Sequence, residues 1–241
     1  MNMSALGALH LTKHTGAKHS ATVIFFHGSG SSGCDMKEWV NIMVSNFSFP
    51  HIKIMYPTAP LQPYTPAGGQ MSNVWFDRAG VSPSVPEKLE SIAKIEVEVK
   101  NLIKKENDAG IPSSRIILGG FSMGGSLSFY TGFRSDQNLA GVFVFSSFLN
   151  NNSVVYQEVK DANRKQYICI ELFFFSVPPL LQLHGDADDL VDMKWGQYTF
   201  EQLKALGIQG EFRVQSKLGH SINRRGMITI KEWIEKLLPE L

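Results

Sequence analysis

The chain has 241 residues, 43% of them hydrophobic and 19% charged, and a formal net charge of +1. The length and composition are typical of one globular α/β domain, which we expect to span 1–241 with 1–19 as a loose N-terminal segment. The near-zero charge argues against a broad electrostatic field, so neither nucleic acid nor an anionic membrane surface is an expected partner.

Targeting signals are not evident in the sequence. Met1–Leu11 lacks the charged and apolar regions of a secretory signal, and no stretch reaches the ~18–20 apolar residues of a membrane span. Cys34 and Cys169 could form one bridge at most, which is not a disulfide framework. These features predict a cytoplasmic protein without stable membrane insertion.

The first third of the chain predicts a strand, a loop and a helix. Thr22–Phe26 is β-branched and aromatic, as in a buried strand, and the small-residue loop His27–Gly33 follows. Asp35 and Glu38 have capping-box spacing, so a helix is predicted from about Met36.

A long connection follows the second predicted strand, Ile52–Tyr56. It runs from Pro57 to Pro86, contains six prolines and shows no clear periodicity. Long loops in compact domains are usually functional or disordered, and the segment Asn73–Asp77 is too aromatic for disorder. We expect this connection to be ordered and packed near the site.

Strands and helices alternate through the rest of the chain. Helices are predicted over Glu87–Asp108, Gly124–Gly132, Lys194–Leu206 and Met227–Leu238, and strands over Ile116–Leu118, Gly141–Phe145, Leu180–Leu183 and Phe212–Val214. Such alternation predicts a mostly parallel sheet with helices on both faces. In sheets of this kind the site lies at the carboxyl ends of the strands.

Gly120–Gly124 matches the G-x-S-x-G pattern between a predicted strand and a predicted helix. A sharp turn there would project the Oγ of Ser122 above the sheet, and the flanking glycines permit the close packing. The Met123 N–H, at the helix N-terminus, could donate to a developing oxyanion. A glycine-rich turn without a catalytic role is the weaker alternative.

A serine hydroxyl needs a base, and only two of the seven histidines, His184 and His220, follow Ser122. In nucleophile turns of this type the chain order is serine, acid, histidine, so His184 lies too early and His220 is the expected base. The acid lies in between, and Asp186, Asp188 and Asp189 all fit. The residues alone leave these three open.

The loop His27–Gly30 follows the first strand, and its small residues suit a second oxyanion donor, the Ser29 N–H. Gly28–Gly33 also fits the dinucleotide-binding glycine pattern, but Pro57 stands where the second strand should end in an acidic residue. The sequence also lacks H-E-x-x-H and C-x-x-C motifs. We expect neither a cofactor nor a metal.

Taken together, these motifs resemble the acyl-protein thioesterase and lysophospholipase family of serine hydrolases over about residues 20–238, most closely its lysophospholipase-like branch. The segments that carry the resemblance are His27–Gly30, Pro57–Pro60, Asn73–Arg78, Gly119–Gly125, Ser146–Asn150, His184–Asp188 and Gly219–His220.

The resemblance implies an α/β-hydrolase fold without a large lid domain. It assigns the acid to Asp188 and the oxyanion donors to the N–H groups of Ser29 and Met123. The implied activity is hydrolysis of thioesters or carboxylic esters through an acyl-serine intermediate, without a cofactor. The substrate would be an acylated protein or a small acyl ester. Five side chains are candidates to line its pocket: Leu61, Tyr64, Met71, Trp75 and Phe148.

The chain departs from the family pattern at three places. Ser31 stands where an acidic residue is usual, and residues 222–226 are unusually basic. The largest departure is an apolar, aromatic insertion over 164–179, just before the strand that leads to Asp188. If that insertion displaces Asp188, the chain would be a catalytically impaired binding module. An active hydrolase is the favoured hypothesis, since an unused triad has no physical reason to remain complete.

Overall fold

The computed structural model describes residues 6–134, 138–168 and 177–241, with the backbone alone for 163–168. Its strands are β1 (Leu9–Thr12), β2 (Ala21–Phe26), β3 (Ile52–Pro57), β4 (Leu61–Tyr64), β5 (Gln70–Asn73), β6 (Ile116–Phe121), β7 (Gly141–Phe145), β8 (Leu180–Gly185) and β9 (Gly210–Gln215). Seven of them form one sheet in the order β1-β3-β2-β6-β7-β8-β9. All its pairs are parallel except β1 with β3. Strands β4 and β5 form a separate antiparallel hairpin.

Six α-helices are described: α1 (Gly33–Met43), α2 (Leu89–Asp108), α3 (Met123–Arg134), α4 (Val154–Ile168), α5 (Met193–Ala205) and α6 (Arg224–Leu237). Side chains of α2, α3, α4 and α5 share one apolar cluster with one face of the sheet. Side chains of α1 and α6 share a second cluster with the other face. The predicted α/β layering, with a mostly parallel sheet covered on both sides, is confirmed.

Strand β2 shows why the chain folds into these layers. All six of its residues are buried. Ile24 and Phe26 join the cluster under α2 and α3, whereas Val23 and Phe25 join the cluster under α1 and α6. Because side chains alternate across a strand, a continuous apolar run fills both faces of a central parallel strand.

Within the described part of the expected loose segment 1–19, the structure shows a strand. Leu9–Thr12 forms β1, which pairs antiparallel with β3 at the edge of the sheet. Its side chains alternate between exposed and half-buried, so the segment lacks the apolar run by which the central strands were predicted.

The beginning of α1 is also corrected. The helix starts at Gly33, and its N-cap is Ser32, whose side chain accepts a hydrogen bond from the Asp35 N–H at 3.1 Å. Asp35 therefore lies in the first turn rather than at the cap, and its Oδ2 accepts from the Ser32 hydroxyl at 2.7 Å. The remaining predicted helices agree with the structure to within three residues at each end.

The long connection after β3 is ordered, as predicted, and it contains the β4–β5 hairpin that the sequence did not indicate. Helix α4 was likewise not predicted. Half of the apolar insertion expected over 164–179, residues 169–176 including Cys169, lies outside the described residues. Within the described part of the chain, no helix is both long enough and apolar enough to cross a membrane.

Candidate active site

Ser122 lies on a sharp turn between β6 and α3, with φ at +54°. Few residues other than glycine adopt this left-handed conformation, and it is costly unless the surroundings enforce it. Here the Ser122 N–H donates to the Phe145 carbonyl at 2.9 Å, which ties the turn to β7. A Cβ on Gly120 would lie 2.1 Å from the Gly124 carbonyl carbon, and one on Gly124 would lie 2.3 Å from the Phe26 oxygen. The glycines are therefore required by close packing.

Two loops at the carboxyl edge of the sheet bring an imidazole and a carboxylate to this serine. His220, after β9, places its Nε2 3.0 Å from the Ser122 Oγ. Asp188, after β8, has its Oδ2 2.9 Å and its Oδ1 3.1 Å from the His220 Nδ1. The three side chains thus form one continuous hydrogen-bonded chain from hydroxyl to carboxylate.

The loop after β8 holds Asp188 ionised. Burial acts to raise the pKa of this carboxyl, but the Val191 N–H and the His220 ring more than offset it, and the pKa lies below its ordinary value. The Asp188 Oδ1 accepts from the N–H groups of Val191 at 2.8 Å and Leu190 at 3.1 Å. Of the other two candidates, Asp186 accepts from the Lys217 N–H at 2.6 Å, and Asp189 is exposed.

A second buried histidine lies under Asp188. The His184 Nε2 is 2.8 Å from the Val191 carbonyl and 3.5 Å from the Asp188 Oδ2. Burial lowers the pKa of His184, so the ring is neutral, with Nε2–H as the donor. The sequence had excluded His184 as the base by chain order, and it did not indicate this supporting position.

The two expected oxyanion donors both border the serine. Ser29 follows β2, Met123 is the first residue of α3, and the Ser29 hydroxyl lies 3.6 Å from the Met123 sulfur. Within the described part of the chain, neither backbone N–H donates to another backbone group. Free N–H groups at a helix N-terminus and a neighbouring loop are the arrangement that stabilises a developing oxyanion.

The loop that carries Ser29 is fixed by its own histidine. The Ala59 N–H donates to the His27 Nε2 at 2.9 Å, so the His27 Nδ1 carries the proton and donates to the Gly28 carbonyl at 2.7 Å. Burial lowers the pKa of His27 to about 4. The Trp75 indole N–H donates to the His27 carbonyl at 2.7 Å. The sequence marked the His-Gly pair, but nothing in it indicated these partners.

A cavity of about 380 Å³ opens beside the Ser122 hydroxyl, within the usual range for small-molecule sites. Of the five pocket candidates, Tyr64 and Phe148 line this cavity. The structure does not bring the other three candidates there. Leu61 and Met71 lie on the hairpin with 61% and 58% of their surface exposed, and Trp75 is buried in the core. The expectation failed for these three because aromatic and apolar residues in a loop do not reveal which way they point.

Among the lining residues that the sequence did not indicate, one carries a permanent charge. Arg78 borders the same cavity, with its guanidinium carbon 5.1 Å from the centre of the Phe76 ring and 5.9 Å from that of Phe148. The described residues contain no group of three or more His, Cys, Asp or Glu side chains that could hold a metal ion.

The sequence matches known proteins over most of its length. The phospholipase/carboxylesterase family model matches residues 10–238. Lysophospholipase-like protein 1 from Mus musculus is 44% identical over 223 residues, which covers 92% of this chain and 89% of the mouse protein. Acyl-protein thioesterase 1 homolog 1 from Dictyostelium discoideum is 33% identical over 226 residues, or 92% of each chain.

The fold is also similar to that of solved structures of known proteins. The crystal structure of acyl-protein thioesterase 2 from Zea mays superposes with a TM-score of 0.81 at 28% identity, covering 96% of this chain and 99% of the maize chain. The α/β-hydrolase fold without a large lid domain, expected from the motifs, is confirmed. The chain belongs to the phospholipase/carboxylesterase family of hydrolases.

Proposed function

We propose that the protein is a serine hydrolase that cleaves thioester or carboxylic ester bonds of acyl substrates. The observation that supports this most strongly is the unbroken chain from the Ser122 Oγ through His220 to Asp188, at 3.0 Å and 2.9 Å. This arrangement activates a hydroxyl whose own acidity is too weak for attack at neutral pH.

In the first half of the reaction, the Ser122 Oγ attacks the acyl carbonyl carbon while the His220 Nε2 takes the hydroxyl proton. The carbonyl oxygen becomes an oxyanion, to which the N–H groups of Ser29 and Met123 donate. The bond to the leaving group then breaks. His220 returns the proton to the departing sulfur or oxygen, which leaves an acyl group on Ser122.

In the second half, water attacks the acyl-serine and gives its proton to His220. As the second tetrahedral intermediate collapses, His220 returns this proton to the Ser122 Oγ, which releases the carboxylic acid and regenerates the Ser122 hydroxyl. Throughout both halves, Asp188 holds the His220 tautomer and stabilises the imidazolium that forms.

His27 contributes to this chemistry through the backbone. The Gly28 carbonyl and the Ser29 N–H belong to one planar peptide unit, so fixing one end fixes the other. Because the His27 Nδ1–H holds the Gly28 carbonyl at 2.7 Å, it orients the Ser29 N–H. His27 is thus a positioning residue for the oxyanion donor.

The substrate class we propose is an acylated protein or a small acyl ester. The names of the relatives, acyl-protein thioesterase and lysophospholipase-like protein, support an acyl substrate. The cavity beside Ser122 is lined mostly by apolar side chains, among them Trp39, Phe121 and Phe148, which suits an acyl chain.

Labelling with a fluorophosphonate probe tests the proposal. We expect the wild type to be labelled and Ser122→Ala to be unlabelled. Ser31→Ala is the matched control, since this serine also lines the cavity but its hydroxyl lies 3.4 Å from the Asp35 carboxylate. It should be labelled at the wild-type rate.

The same experiment separates the hydrolase from a catalytically impaired binding module. A wild type that folds cooperatively but resists labelling would support the binding module. Two observations support the hydrolase. Strand β8, which leads to Asp188, pairs with both β7 and β9, and the Asp188 Oδ2 lies 2.9 Å from the His220 Nδ1.

A further inference from the structure

Arg78 is a cation at the edge of the cavity that has neither a hydrogen-bond partner nor an ion-pair partner among the described residues. Two of its guanidinium nitrogens, Nε and Nη2, are occluded from solvent and have no hydrogen-bond partner. The third, Nη1, retains accessible surface and makes no hydrogen bond with the described residues. No carboxylate in the described part of the chain lies within ion-pair distance of it.

The two acidic side chains nearest along the chain are engaged elsewhere. Asp77 accepts from Lys88 and from the Thr65 N–H and hydroxyl. Glu87 accepts from the Tyr130 hydroxyl at 2.6 Å and from the Val154 N–H at 3.1 Å. Neither can neutralise Arg78 without giving up these bonds.

A partly desolvated cation without an ion-pair partner is unfavourable for stability. Burial lowers the pKa of Arg78, yet a guanidinium does not lose its proton in proteins. The flanking rings of Phe76 and Phe148 offset only part of this cost, since a cation–π contact typically contributes about 0.5–2 kcal/mol. For the stability of the fold alone, an apolar side chain in place of Arg78 would be more favourable.

The lining of the cavity carries permanent charge of one sign only. Of the described residues that line it, Arg78 is the only one with a permanent charge, and none is acidic. Most of the others are apolar or small, among them Met36, Pro66 and Val81. A substrate group that enters this space therefore meets a single positive charge in surroundings of low dielectric constant, where charge pairing is strong.

We propose that Arg78 is a specificity-determining residue that binds a carboxylate on the substrate, so that the preferred substrates are anionic acyl esters or thioesters. A carboxylate matches the single charge of Arg78, whereas a phosphate monoester would bring about 1.5–2 negative charges into the same apolar space. This inference rests on the proposed hydrolase activity at Ser122.

Matched substrate pairs test it on both sides of the scissile bond. For the acyl side, the pair is the 4-nitrophenyl monoester of glutaric acid and 4-nitrophenyl pentanoate, which have equal acyl length. For the leaving group, it is the butyryl thioesters of 3-mercaptopropionic acid and of its amide. In each pair the two members differ chiefly by one carboxylate.

We expect the wild type to favour the anionic member of at least one pair. In Arg78→Met the ratio of kcat/KM, anionic over neutral, should fall at least tenfold, or about 1.4 kcal/mol. The kcat/KM of the neutral member should stay within about threefold of the wild-type value, because the neutral substrate has no carboxylate to pair with Arg78. Arg78→Lys, which keeps the charge, should lie in between. Arg213→Met removes an exposed arginine on β9 that pairs with Glu211, and it should leave both ratios unchanged.

An unchanged ratio for both pairs in Arg78→Met would overturn the inference. Equal loss on both members of each pair would also overturn it, because that result indicates a purely structural role. Either result leaves the proposed function intact as long as the neutral substrates are hydrolysed. Failure of the wild type to hydrolyse any of the four substrates would instead count against the hydrolase proposal itself.

Discussion

Two charged side chains at the site differ in whether the protein supplies hydrogen-bond partners for the charge. The carboxylate of Asp188 is held by the N–H groups of Leu190 and Val191 and by His220. The guanidinium of Arg78 has no hydrogen-bond partner in the described part of the chain. A charge that the protein itself satisfies is ready to act on any substrate. A charge left unsatisfied gains its partner only when the right substrate arrives, and it can therefore discriminate among substrates.

The largest effect should come from the satisfied charge. Asp188→Asn keeps the shape of the side chain but favours the wrong tautomer of His220, so kcat should fall roughly 10³-fold or more. Steady-state hydrolysis of 4-nitrophenyl esters measures this directly. Asp189→Asn, one residue along and exposed, is the matched control and should stay within about twofold of the wild type, as is usual for surface changes. Equal losses in both variants would contradict the assignment of Asp188.

A smaller loss of kcat should follow from loosening the loop His27–Gly30, which carries the Ser29 N–H. His27→Leu removes the shorter of two hydrogen bonds to the Gly28 carbonyl and leaves the one from the Ser31 N–H at 3.3 Å, so the Ser29 N–H is held less firmly, and kcat should fall about 10–10²-fold. His27→Asn restores a donor near the Nδ1 position and should recover part of this loss.

The control for His27 is another buried histidine. The His51 Nε2 contacts the Leu238 carbonyl at 2.7 Å, and His51 does not line the cavity. His51→Leu should lower thermal stability while leaving kcat per folded molecule unchanged. If it reduces kcat as much as His27→Leu does, the positioning role of His27 is wrong.

Acid should weaken the fold through the same loop. The pKa of His27 is lowered from 6.5 to about 4, so the unfolded chain binds this proton more readily than the folded one. Its contribution to stability is full above pH 6.5 and is lost as the pH falls toward 4, by about 3 kcal/mol at about 1.4 kcal/mol per pKa unit. His184, whose pKa is also lowered, acts in the same direction.

Urea unfolding at a series of pH values measures this loss. His27→Asn should lose less stability between about pH 7 and pH 4 than the wild type does, because the titrating group is gone. Asp188 adds a separate loss at lower pH, since its folded pKa lies below its ordinary value of 3.8. Parallel pH curves for wild type and variant would show that His27 does not titrate as described.

The smallest effect is expected for the stability of the fold when the charge of Arg78 is removed. Arg78→Met exchanges an unpaired cation for an apolar side chain, and we expect the free energy of unfolding to stay level or to rise by about 1 kcal/mol. By contrast, Asp188→Asn should destabilise the fold, because it breaks a satisfied network. Thermal unfolding of both variants sharpens the comparison. A clear loss of stability in Arg78→Met would indicate that Arg78 has a partner in the folded state.

The features predicted from sequence are those that local pattern determines. Ser122 was indicated by its glycine turn and His220 by chain order, and the structure brings the two together. Asp188 could not be separated from Asp186 and Asp189 by residue type, because only the path of the loop after β8 decides which carboxylate faces the imidazole. The family resemblance supplied that choice.

The features that were missed depend on contacts distant in sequence. Edge strand β1 is recognisable only beside β3, and the β4–β5 hairpin lies in a proline-rich segment without periodicity. Trp75 was expected in the pocket, but its indole supports the His27 backbone instead. Arg78 carried no signal, because a single arginine in a loop is ordinary until its surroundings prove to contain no acidic partner.

In the proposed mechanism, Ser122 carries the acyl group during turnover. Rapid mixing with a 4-nitrophenyl ester, followed by acid quench and peptide mass analysis, tests it most directly. We predict a burst of nitrophenol close to one equivalent per enzyme, with one acyl group on the peptide that contains Ser122. Turnover by a folded wild type without a burst, or with the acyl group on another residue, would contradict the account.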